Sequence, residues 1–187
     1  MNARPPLAKE VGFENMEKEK EIVNRVASSS LVSIDLEEFY TAGERVLFDM
    51  KDCLFQGMIL REKDFRDFIK AHDWSRYQGK FVAITSSVEA IIPTWAYMLL
   101  SVAVQPFARK VFFGSLSELE SHLFHDALSG FSWEQYRDAK VVIKGCSKVE
   151  VPASAYVEVT NYLRPLAASI MFGEACSTVP LFKRPKA

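Results

Sequence analysis

Two cysteines that follow the ends of predicted strands are the residues of this chain best suited to chemistry. Cys146 lies three residues past Ile143 in the run KGCS, and Cys176 lies four past Phe172 in FGEACSTVP. Two thiolates with a third ligand suit a soft metal, zinc or iron, or the edge of an iron-sulfur cluster. One activated thiolate suits sulfur or acyl transfer. Each use requires a lowered thiol pKa. Lys144 and Lys148 bracket Cys146 and would lower it, whereas Glu174 beside Cys176 would raise that thiol or serve as a metal ligand or proton carrier. The bland alternative is that both cysteines are small hydrophobes filling loops, with the lysines and the glutamate simply solvated.

The remaining candidates read as structure. Cys53, between Asp52 and Leu54, reads as packing. His122 and His125 have metal-compatible i, i+3 spacing, but they share a helix face with Glu118 opposite Leu119 and Leu123, which describes a wet surface. His72 falls at a helix C-terminus, where a protonated imidazole favours the dipole. Trp74 and Trp133, each followed three residues later by a tyrosine (Tyr77, Tyr136), read as core. No glycine-rich nucleotide loop and no G-x-S-x-G elbow is present, and no histidine lies near either thiol in sequence to act as a base.

What must position the two thiols is a repeat. Residues 133–174 repeat residues 74–115 at an offset of 59 without a gap, with 11 identities in 42 positions that include Trp74/Trp133, Pro93/Pro152 and Gly114/Gly173. Unrelated sequences at ordinary residue frequencies would share about two or three, so the pattern reads as an ancient duplication of one supersecondary unit. Ser87 is the counterpart of Cys146 and Ser117 of Cys176, so the first copy lacks both thiols.

In chain order, residues 1–16 read as a flexible leader, and EKEKEIVNRVA from Glu17 as a short helix with Ile22, Val23 and Val26 on one side. Leu31 to Tyr40 suits either a strand or a helical turn. Val46 to Phe48 reads as a strand, and Leu54 to Leu60 as another interrupted at Gly57. REKDFRDFIKAH is an amphipathic helix. Phe81–Thr85 is a strand, and a helix from Pro93 to about Gln105 is apolar on nearly every face, which predicts burial all round. Val111–Phe113, a helix opened by the Ser115/Glu118 capping box, strand Val141–Ile143, a helix after Pro152 and strand Ser169–Phe172 complete the series.

The pattern predicts one α/β domain over 17–182, with a mainly parallel sheet flanked by helices, and a loose basic tail over 183–187. Parallel strands share a carboxyl rim, where ligand sites in open α/β sheets lie. Loops this short hold each thiol within roughly 15 Å of its strand end, so the two can meet if their strands are neighbours.

Composition narrows the partners. At 187 residues the chain suits one domain. With 23 basic against 24 acidic residues and a net charge of -1, it offers no electrostatic case for nucleic acid or an anionic membrane. No apolar run approaches the roughly 18 residues of a span, and the polar start MNARPPLAKE lacks a secretory h-region, so a cytoplasmic protein with free thiols is expected.

The runs EIVNRVASSSLVSIDLEEFY, ERVLFDMKDCLFQGMILREKDFR, PTWAYMLL, VVIKGCS and SIMFGEACSTVPLFK resemble the bacterial family called domain of unknown function 2480. The resemblance covers nearly everything after the leader. The family motif carries cysteines matching Cys146 and Cys176, whereas Cys53 stands where tryptophan is usual and Ala175 where proline is usual. The resemblance implies an iron-sulfur assembly context, and with it a protein partner in that machinery, but no assigned activity. Two functional readings stand: a thiol-dependent accessory in iron-sulfur or sulfur handling, holding metal, cluster or persulfide at Cys146, Cys176 and Glu174, or a non-catalytic binding or scaffold domain, open to homo-oligomerisation, whose cysteines fill space.

Overall fold

A computed structural model describes residues 31–144, 148–174 and 177–185. The leader, the helix expected from Glu17, and both Cys146 and Cys176 lie outside the described residues.

Short apolar runs become parallel strands wherever the following helix can pack back onto them. β2 (Arg45–Asp49), β3 (Phe81–Thr85) and β4 (Lys110–Phe113) form one sheet in that order, all parallel. A second sheet has the order β1 (Leu31–Asp35), β5 (Lys140–Lys144), β6 (Ser169–Glu174) and β7 (Ser177–Lys183), parallel except for β7. The expectation of a single sheet is therefore corrected to two, and the helix that separates them supplies the reason. Helix α3 (Leu116–Ser129) carries two apolar stripes. Leu119 and Leu123 pack on Phe81 and Ala83 of the first sheet, while Phe124 and Leu128 join Val141, Ile143 and Ile170 of the second. A helix wanted by two sheets does not form a crossover within one.

The outer face of the first sheet is covered by α1 (Glu62–Ala71) and α2 (Thr94–Val104), through Phe65, Ala96, Leu100 and Val104 against Val82 and Ile84. Helix α4 (Ala153–Leu163) lies on the second sheet through Ala155, Val159 and Leu163. Burying such side chains stabilises by roughly 1.5–3 kcal/mol each, and these buried clusters account for the architecture.

Positions 59 residues apart adopt matching local geometry. Trp74 Nε1 donates to Ile69 O at 2.9 Å and Trp133 Nε1 to Leu128 O at 3.0 Å. The Tyr97 and Phe113 rings meet edge-on at 5.1 Å, and Tyr156 and Phe172 at 5.8 Å. Gly79 and Asp138 both take positive φ, +70° and +59°. The two strands that enter these units match as well: β1 and β2 each end in an aspartate, Asp35 or Asp49, whose carboxylate accepts from the amide two residues on and caps a short 3-10 helix.

Other expectations are corrected. Leu31–Tyr40 is both alternatives in succession, strand then 3-10 helix Leu36–Phe39. Leu54–Leu60 is a tight turn: Phe55 N donates to Ile59 O around Gln56 and Gly57, both at positive φ, with only isolated bridges. Helix α2 is not buried all round, for Met98 is 64% and Val102 71% exposed. A three-stranded sheet on one side and α1 on another cover only part of its circumference. β7 runs to Lys183, which lies opposite Ser169, and Arg184 N donates to Ala168 O at 2.9 Å. No helix of the described residues is long and apolar enough to cross a membrane.

Candidate functional site

The carboxyl rim of the second sheet is built from the ends of β1, β5 and β6. Asp35 lies opposite Lys144, and Ile143 opposite Phe172, so β5 and β6 are immediate parallel neighbours. Cys146 follows Lys144 by two residues and Cys176 follows Glu174 by two. Both sulfurs fall outside the described residues, and the surrounding frame is what the structure displays.

That frame is tightly specified. Glu174 pairs with Ser177 where β6 turns back into β7. Gly173 has φ +118°, and a Cβ there would stand 2.6 Å from Ser177 O, so no side chain fits. On the β5 side, Glu37 accepts a hydrogen bond from the Lys148 amide at 2.9 Å, tying the far end of the thiol-bearing loop to the turn after β1. Asp35 accepts from the Glu37 amide at 3.0 Å. The rim thus gathers carboxylates at Asp35, Glu37 and Glu174 with ammonium groups at Lys144 and Lys148.

Beside it opens a cleft of about 890 Å³, lined by Lys148–Ser154, by Leu116, Ser117, Glu120 and Ser121 of α3, and by Tyr40 and Arg45. The size suits a small molecule. Arg45 meets Glu120 in a two-pronged pair, 2.8 and 3.0 Å, with its guanidinium 4.5 Å from the Tyr40 ring centre. Both partners are largely shielded, so this pair fixes α3 to the start of β2.

The first sheet's rim has the same plan with different groups. Asp49 accepts from the Lys51 and Ser87 amides at 3.0 and 3.1 Å. Burial pushes its pKa up, but the Ser87 hydroxyl and those two amides outweigh it and hold it at about 2. Burial, then Asp52 and Asp49, push the half-buried Cys53 thiol to about 11, which leaves it protonated and poorly nucleophilic.

The histidines are structural. His122 stacks on Phe112 at 5.0 Å, and His125 Nδ1 lies 2.7 Å from a Glu158 carboxylate oxygen, linking α3 to α4. His72 sits among Phe68, Trp74, Tyr77 and Phe48, and its buried Nε2 has no hydrogen-bond partner among the described residues. As expected, His72 caps the C-terminus of α1, while its ring sits in an aromatic nest where burial, then Arg76, lower its pKa. Trp74 and Trp133 pack in the core clusters. Among the described residues no group of three His, Cys, Asp or Glu side chains could hold a metal ion; the set Cys146, Cys176 and Glu174 extends outside them.

Sequence reasoning missed Asp35 and Glu37. Their signal was present: the segments SIDLEEF and LFDMKDC share an apolar-Asp-apolar strand end 14 residues apart.

A protein-family profile described as "Protein of unknown function (DUF2480)" matches residues 20–184. No curated protein and no solved structure matches the chain.

Proposed function

The chain belongs to the DUF2480 family, and from that premise we propose that it is a thiol-dependent accessory in iron-sulfur or sulfur handling, working at the carboxyl rim of the second sheet. The supporting observation is the adjacency of β5 and β6, whose register sets Ile143 opposite Phe172. Neighbouring strands run about 4.8 Å apart, and two residues of chain reach at most about 7 Å. This adjacency supports a meeting of Cys146 and Cys176 at one rim.

Lys144 and Lys148 favour the thiolate of Cys146, making it the more nucleophilic sulfur. Glu174 contributes a carboxylate beside Cys176. Two thiolates and a carboxylate fit zinc or iron, leaving a position for an outside ligand, and such a group would supply Lewis-acid or cluster chemistry when bound. Without metal, the same Cys146 thiolate can take the outer sulfur of a donor persulfide, releasing the donor as its thiolate. The cytoplasm is the compartment in which these thiols stay reduced, and the iron-sulfur assembly machinery is the partner this reading names.

Anaerobic purification followed by metal and sulfide analysis, with alkylation rates of each cysteine, tests the reading. Bound metal, sulfide or fast alkylation of Cys146, lost or slowed in Cys146→Ala and altered in Cys176→Ala, is the expected result. Metal-free protein with two thiols that alkylate only after denaturation sinks it.

The scaffold reading draws on the exposed apolar outer side of α2. It expects partner binding to survive replacement of both cysteines by serine. We further propose that the matching halves descend from one duplicated unit, which the recurring tryptophan, tyrosine and glycine geometry supports.

A further inference from the structure

β4 and β6 stand at matching positions, 59 residues apart. Along its outer edge β6 carries β7, antiparallel, with Ile170 opposite Phe182 and Phe172 opposite Val179. β4 is the last strand of its sheet, and among the described residues no strand pairs with its outer edge. Among the described residues, the same edge is therefore filled in one unit and open in the other.

The open edge has a definite pattern of donors and acceptors. Gly114 donates its N–H inward to Ile84 O at 2.9 Å. Backbone groups alternate sides along a strand, so the N–H and C=O of Val111 and Phe113 point outward. In an antiparallel ladder, outward groups must face outward groups. A two-fold pairing of β4 with itself satisfies this when centred on Phe112. Val111 then faces the second copy's Phe113, twice, and Lys110 faces a glycine.

We propose that two copies of this chain pair antiparallel through β4, joining their three-stranded sheets into one six-stranded sheet across a two-fold axis. The thiol reading is independent of this interface. Apolar and electrostatic features favour a second copy as the occupant. Phe113 is 67% exposed even with Tyr97 edge-on beside it, and the cross-strand contact with Val111 would cover it. Lysines on natural edge strands discourage pairing by keeping a free charge there, but Lys110 is folded back onto Asp126 of its own chain. Helix α2, whose Tyr97 flank borders this edge, carries no charged residue from Thr94 to Val104. Two copies can approach without like charges opposed, and the interface is isologous, as two-fold dimers require.

Sedimentation of the full chain across about a hundredfold range of concentration tests this, alongside Val111→Pro and Phe113→Glu. The proline removes an outward N–H and leaves the β3–β4 ladder intact. The glutamate introduces one charge from each copy into the apolar pairing. A wild-type dimer weakened at least about tenfold by each change, with unaltered circular dichroism, is expected, together with slowed hydrogen exchange at the Val111 and Phe113 amides as concentration rises. Should the proline variant fail to fold, the glutamate variant decides alone, because Phe113 lies largely in solvent. A wild-type monomer at every concentration overturns the proposal, as does a dimer that neither substitution weakens. A chain lacking residues 1–30 that dimerises where the full chain does not also overturns it, since the chain's own start would then hold the edge.

Discussion

The two rims of this molecule share a backbone plan and differ in what they hold. At the first, Asp49 is saturated by the Ser87 and Lys51 amides, and the chain leaves β4 through Ser115 into a capped helix. At the second, Asp35 accepts from the Glu37 amide, cations stand at 144 and 148, and the chain leaves β6 into a hairpin instead of a helix. The first rim has spent its polar groups on holding itself together. The second gathers charged groups of both signs around the segments that carry Cys146 and Cys176, and that difference is why the functional proposal belongs there.

Substitutions at matched positions test how far the comparison goes. The largest effect is expected at the two strand-end glycines. Gly173→Ala forces a Cβ to 2.6 Å from a backbone oxygen at φ +118°, and should cost about 3 kcal/mol in urea unfolding. Gly114→Ala meets only the side chains of Phe112 and Glu118 at 2.7 and 2.9 Å, which can shift, so its cost should be visibly smaller. Equal losses would mean that the hairpin does not constrain the second rim.

Next in size are the aspartates. Asp49→Asn should lower stability at neutral pH by about 1 kcal/mol by weakening its bonds to the Lys51 and Ser87 amides, and Asp35→Asn should also destabilise, through the Glu37 amide. Because the folded-state pKa of Asp49 lies below its ordinary 3.8, the carboxylate's contribution is present above that value and fades as pH falls toward about 2. Acid titration of wild type should show that loss and the Asp49→Asn variant should not.

The smallest effect is at His72, which has no counterpart in the second unit, where Phe131 occupies the matched position. Its folded pKa is lowered, so the unfolded chain binds the proton more readily. Stability is unaffected well above pH 6.5 and declines as pH falls through that value toward the folded pKa. Solvent screening keeps this effect small. His72→Phe should flatten that limb of the stability profile, and an unchanged limb would remove the aromatic nest as its cause.

Much of the fold was legible because local signals agreed with tertiary ones. The Ser115/Glu118 capping box and the glycine at 130 bound α3 as the structure does, and Phe81–Thr85 is a strand from end to end. Sheet membership was not legible from spacing alone. It depended on α3 presenting Leu119 and Leu123 to one side and Phe124 and Leu128 to another, a division that a single apolar period hides. The uncharged face of α2 misled for a related reason: lack of charge reports compatibility with burial, and the number of neighbours decides it. At the site, adjacency of the two thiol-bearing strand ends required strand order, which periodicity does not carry, whereas Asp35 and Glu37 required recognising a 14-residue echo between the entry strands.

The pairing of β1 with β5 also bears on how the chain is made. Leu31 lies opposite Lys140, so β1, the first of the described strands to leave the ribosome, waits for more than a hundred further residues before its neighbour exists. The three-stranded unit from β2 to β4 can close in the meantime, because all its strands and both its covering helices precede α3. Synthesis order alone thus gives assembly a direction, with the thiol-bearing half completed last, as β5, β6 and β7 emerge.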